Sequence, residues 1–84
     1  MTGEKILIIE DELDIAHLME TMMREQGYQT HVAYDGVEGL NAALRERPDL
    51  ILLDLRLPEM DGMDILRDLN SQQVNIPVVV VTAW

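Results

Sequence analysis

The 84-residue chain contains no cysteine, so it can build neither a disulfide framework nor a thiolate metal site, and nothing in it calls for an oxidising compartment. Basic residues are scarce: 6 Lys and Arg stand against 16 Asp and Glu, a formal net charge of -10. That balance repels nucleic acid and anionic lipid and favours cations or basic partners. Control over DNA would have to come through another domain. Long apolar runs are also lacking. Met1-Thr2-Gly3-Glu4-Lys5 has no apolar stretch behind a basic start, and no run approaches membrane-spanning length. A cytoplasmic location with no membrane contact is expected. A glycine-rich phosphate loop is missing after the first apolar run, where Glu10-Asp11-Glu12 stands instead. Those acids would repel a phosphate and argue against nucleotide or flavin binding.

What is present suits a small globular domain. Hydrophobic residues make up 48% and charged residues 26%, which excludes a disordered acidic tail. The length allows one domain at most, of a size that buries only ~60% of the unfolded chain's surface. Residues 6–9 form an unbroken apolar run ending on carboxylates, the pattern of a strand covered on both faces. From Leu13 the period changes, with Ile15, Leu18, Met19 and Met22 recurring at three and four residues before Gly27. An amphipathic helix is predicted there, with Met19, Met22 and Met23 as core filler. Residues 30–34 read as a second strand, followed by Asp35-Gly36 as turn and helix cap, and Val37, Leu40 and Leu44 line the next helix. Pro48 stops it. Leu50-Ile51-Leu52-Leu53 is a second continuous apolar run ending on a carboxylate, Asp54. A loop with Pro58 and Gly62 leads to a short helix marked by Ile65, Leu66 and Leu69, and residues 78–81 are four valines that predict a fourth strand.

Strand and helix thus alternate, which predicts an α/β fold with a doubly wound parallel sheet and helices on both faces. In such sheets ligands bind beyond the carboxyl ends of the strands. Glu10, Asp11 and Asp54 sit at those ends, and in the flavodoxin-like strand order 2-1-3-4 they converge in one pocket. Clustered like charges need a proton or a hard cation to compensate them. An all-oxygen donor set selects Mg2+, or Mn2+, over zinc. The apolar fourth strand stands last before the chain stops at Trp84, so a truncated sheet is expected, with residues 1–84 as one domain incomplete at its C-terminus. The open edge also predicts self-association.

Three motifs then carry a resemblance: Ile-Ile-Glu-Asp-Glu at the first strand, Leu-Leu-Asp54-Leu-Arg-Leu-Pro-Glu-Met-Asp-Gly at the third, and Val-Val-Thr82-Ala at the fourth. In this order and spacing the chain resembles the receiver domains of two-component response regulators, the CheY-like domains. The resemblance implies that Asp54 accepts a phosphoryl group from a sensor histidine kinase or phosphotransfer protein. It also implies that Glu10, Asp11, Asp54 and the backbone carbonyl of Arg56 hold Mg2+, and that the Thr82 hydroxyl meets the phosphoryl group. The resemblance also implies that a fifth strand, with the family's lysine and switch aromatic, and a last helix are missing and would fall beyond Trp84. The domain would switch conformation to control an output domain or partner rather than turn over a separate substrate. A phosphorylation-independent interaction scaffold is the alternative. A hydrolase with an aspartyl phosphate would want an acid where Arg56 stands. Glu12 and Asp14 are expected to cap the first helix, and His17 and His31 to be isolated surface or partly buried positions.

Overall fold

In the computed structural model, which describes residues 3–58 and 60–81, seven elements alternate along the described chain. They are β1 (Lys5–Ile9), α1 (Leu13–Glu25), β2 (Gln29–Ala33), α2 (Gly36–Glu46), β3 (Leu50–Leu53), α3 (Gly62–Ser71) and β4 (Val78–Val80). All strand pairs are parallel and the sheet order is β2-β1-β3-β4, as expected from the alternation. The fourth strand ends one residue earlier than the valine run, and β2 lies one residue earlier than expected at both ends.

The continuous apolar runs are explained by helices on both faces of the sheet. Successive side chains of a strand point to opposite sides. Ile6 and Ile8 of β1 join Leu52 of β3 in a small cluster closed by Met19 and Met23 of α1 and by Tyr28. Leu7, Ile9, Ile51 and Leu53 face the other way, into a larger core with Ala42 and Ala43 of α2 and Ile65 and Leu69 of α3.

The helix faces differ in part from their predicted ones. On α1 the buried stripe runs through Ala16, Met19 and Met23, while Leu18 and Met22 are exposed. On α2 Val37 is exposed, and the buried positions are Gly36, Gly39, Ala42 and Ala43. Small residues face the sheet because the helix lies very close to it: a Cβ on Gly39 would fall 2.7 Å from Ile9 Cδ1. Asp35 caps α2 as expected, accepting a hydrogen bond from the Glu38 amide at 2.8 Å, and Glu38 Oε1 accepts one from the Tyr34 amide at 3.0 Å. Glu12 occupies the N-cap position of α1, but its side chain makes no capping hydrogen bond. Asp14 lies in the first turn instead, where a negative charge favours the helix dipole. Gly27, with φ +95, ends α1 by letting its own amide bond Arg24 and the Tyr28 amide bond Met23. His31 is not isolated: its Nδ1 lies 2.7 Å from Glu46 Oε2, tying β2 to the end of α2. Among the described residues no helix is long and apolar enough to cross a membrane.

Candidate functional site

The sheet's register brings the carboxylates together. Ile9 of β1 pairs with Leu53 of β3, so the next residues, Glu10 and Asp54, leave the two central strands side by side. Backbone bonds hold both in place: the Glu10 amide donates to the Ala33 carbonyl and the Asp54 amide to the Ile9 carbonyl, each at 3.0 Å. Glu10 and Asp54 are buried, 2% and 6% exposed, and these are the polar side chains that the described core takes in. Asp11 is half-buried beside them. One carboxylate oxygen from each of the three lies within 4.8 Å of the others.

Local backbone amides orient this cluster. Glu10 Oε2 accepts a hydrogen bond from the Glu12 amide at 3.1 Å, and Asp54 Oδ1 accepts one from the Arg56 amide at 2.9 Å. Burial is the main reason that the Glu10 carboxyl is pushed up, from an ordinary 4.5 to about 7. The neighbouring charges of Asp54 and Asp11 act in the same direction, and the Glu12 amide opposes them by favouring the charged form. Below about pH 7 the cluster therefore tends to hold a proton on Glu10, in hydrogen-bond contact with Asp54. A hard divalent cation could replace that proton, and the all-oxygen, partly pre-oriented donor set fits Mg2+ or Mn2+.

Two open cavities meet at this point. One, of about 420 Å³, is lined by Glu10, Asp11, Glu12, Ile15, Asp54 and Arg56. The other, of about 550 Å³, runs from Asp11 and Arg56 along the connection between β3 and α3 to Met60 and Asp61. Asp61 caps α3 through a 2.9 Å bond from the Met63 amide. Next to it, the Gly62 amide donates to the Leu55 carbonyl at 3.2 Å, and a Cβ at Gly62 would sit 2.7 Å from Leu55 Cα. The motif Asp61-Gly62 thus folds the connection back on the residue that follows Asp54. Of the residues read as site candidates from sequence, Glu10, Asp11, Asp54 and Arg56 come together. Thr82 lies outside the described residues. The part played by the Glu12 amide was not visible in the sequence, because a backbone donor leaves no residue-type signature.

Comparison with known proteins decides the family. The response regulator receiver domain family matches residues 6–84. The chain belongs to that family. This receiver chain is 42% identical over 84 residues to sporulation initiation phosphotransferase F of Bacillus subtilis, covering all of the chain and 68% of that relative. It is 39% identical over 81 residues to the alkaline phosphatase synthesis transcriptional regulatory protein PhoP of the same organism, covering 96% of the chain but 34% of the relative. The chain therefore spans about two thirds of one curated relative and about a third of the other. Among solved structures, the receiver domain of a Francisella response regulator superposes with a TM-score of 0.91 at 35% identity, covering 95% of this chain and 66% of that one. The response regulator TrrA of Thermotoga maritima, solved in complex with Mg2+-BeF, gives a TM-score of 0.91 at 26% identity over 96% of this chain and 70% of that one.

Proposed function

We propose that this receiver domain takes a phosphoryl group onto Asp54 from the phosphohistidine of a sensor histidine kinase or phosphotransfer protein, and that the modified domain signals to an output domain or partner. The observation that carries this proposal is the convergence of Glu10, Asp11 and Asp54 at the ends of the two central strands, with oxygens within 4.8 Å. Glu10, Asp11, Asp54 and the Arg56 carbonyl would hold Mg2+. When bound, the ion supplies positive charge against the carboxylates and the phosphoryl oxygens.

The chain's own residues supply positioning. The Arg56 amide fixes Asp54 Oδ1, which orients the carboxylate and leaves its second oxygen for in-line attack. In that step an oxygen–phosphorus bond forms on Asp54 as the phosphorus–nitrogen bond of the donor breaks, and the imidazole leaves with the bonding pair. The Thr82 hydroxyl is proposed to donate to a phosphoryl oxygen. The added charge and acceptors would then favour one of two conformations of the domain. The chain is modified rather than turning over a separate substrate, and it is proposed to work in the cytoplasm.

Intact-mass spectrometry after incubation with acetyl phosphate, with and without Mg2+, tests the central proposal. The expected result is Mg2+-dependent addition of one phosphoryl group that is lost in Asp54→Ala. No addition under any condition would favour a phosphorylation-independent interaction scaffold.

A further inference from the structure

Gly36 opens α2, on a different β–α connection from Asp54, and it has no turn or left-handed conformation to explain it. Glycine inside a helix gives up roughly 1 kcal/mol of helix propensity relative to alanine, and less in the first turn, but it still contributes no packing of its own. The explanation is contact. A Cβ on Gly36 would lie 2.7 Å from Met60 Cβ, 3.2 Å from Met60 Cγ and 3.3 Å from the Met60 carbonyl oxygen. Met60 belongs to the connection that also carries Leu55 and Arg56, and these residues line one cavity together with Asp11. On the far side of that connection Gly62 packs closely against Leu55, where an added Cβ would fall 2.7 Å from Leu55 Cα, so a push on Met60 is passed along the connection rather than taken up in open space. Gly36 cannot easily retreat either, since Asp35 and Glu38 lock the first turn of α2 through their bonds to Glu38 and Tyr34 amides.

We propose that Gly36 is a positioning residue for the cation site, acting through Met60 on the segment that presents Arg56. The inference rests on the proposal that the acid cluster binds Mg2+. A methyl group at position 36 needs about 1 Å of relief to reach ordinary carbon–carbon separation, and the connection between β3 and α3 is the part that gives. Mg2+ demands near-ideal octahedral geometry at about 2.0–2.1 Å, whereas Ca2+ accepts longer and more variable distances of about 2.3–2.6 Å. The displacement therefore discriminates between the two ions.

Titration calorimetry of Mg2+ and Ca2+ into the wild-type chain, Gly36→Ala, Met60→Gly and the double variant tests this. Gly36→Ala is expected to weaken Mg2+ binding about tenfold, the scale of changes behind a metal's direct ligands, and Ca2+ binding by less. On the Met60→Gly background, where the Cβ and Cγ that collide are gone and the milder 3.3 Å contact with the carbonyl oxygen remains, Gly36→Ala should have a much smaller effect on Mg2+ binding. Unchanged Mg2+ affinity in Gly36→Ala, or an equal loss on both backgrounds, overturns the inference. A general loss of fold would weaken both ions alike, which the ratio of the two affinities detects. Circular dichroism identifies a variant that does not fold; Met60→Val, which thickens the same contact from the other side, then carries the test with the same expected selectivity and the same refuting result. Failure of the wild-type chain to bind Mg2+ would remove the metal site itself, a result distinct from normal binding by both wild type and Gly36→Ala.

Discussion

Replacing Glu10 by Gln should make the metal-free protein more stable at alkaline pH, despite removing a residue of the proposed site. The folded carboxyl titrates at about 7 against an ordinary value of 4.5. Between those values the folded state holds a proton that the unfolded chain releases, so stability falls as pH rises through this window and levels off above about pH 7. With each pH unit worth about 1.4 kcal/mol, the full penalty for ionised Glu10 is about 3 kcal/mol. Water in the adjoining cavity screens part of it, leaving about 2 kcal/mol. Glutamine keeps an oxygen to accept from the Glu12 amide and an amide group to donate to Asp54, so it imitates the protonated acid without titrating. Glu46, held below its ordinary value chiefly by its hydrogen bond to His31, contributes stability that is lost only as pH falls below that range, and does not blur the window. Urea unfolding in EDTA at about pH 5 and pH 8 should show the wild type losing about 2 kcal/mol that the variant retains. If the two proteins change in parallel across this range, burial and charge do not act on Glu10 as described.

Two further outcomes concern the scaffold. Asp35→Ala removes the side-chain acceptor for the Glu38 amide and should destabilise the chain by about 1 kcal/mol, read as a lower Tm. Ile65→Ala empties a fully buried position between α3 and the sheet; a loss of about 2–5 kcal/mol is expected, visible as a large drop in the urea midpoint. Ile65→Val should cost only about 1 kcal/mol, and equal effects from the two would mean that the site is not packed as observed.

The strands at the centre of the sheet were the most legible part of the chain. In β1 and β3 unbroken aliphatic runs end on acids, and burial on both faces leaves no other use for such runs. The acid cluster was legible for the same reason, since strand ends in this architecture are where ligands bind. Helix faces were harder to read. Large apolar residues drew the expected face of α1 toward Leu18 and Met22, and that of α2 toward Val37, whereas the sheet is met by Ala16, Gly39, Ala42 and Ala43. Close approach selects small side chains, which carry little weight in a hydrophobic pattern. The Glu46–His31 pair joins residues from different elements, and no local spacing announces it. Glu12 shows a further limit: an acid placed before a helix looked like a cap, but its amide serves Glu10 instead.

The unequal filling of the two sheet faces bears on how the molecule breathes. Among the described residues, the buried cluster on the side of α2 and α3 has eleven members, against three, with Ala16 beside them, on the side of α1. Hydrogen-exchange protection follows such differences, so α1 is expected to open at a lower free energy than α2 and α3. Glu10 and Asp54, however, are tethered through their own amides to Ala33 and Ile9 of neighbouring strands. The acids can keep their spacing while α1 lifts and closes again, and transient opening on that side would admit solvent without dismantling the cluster.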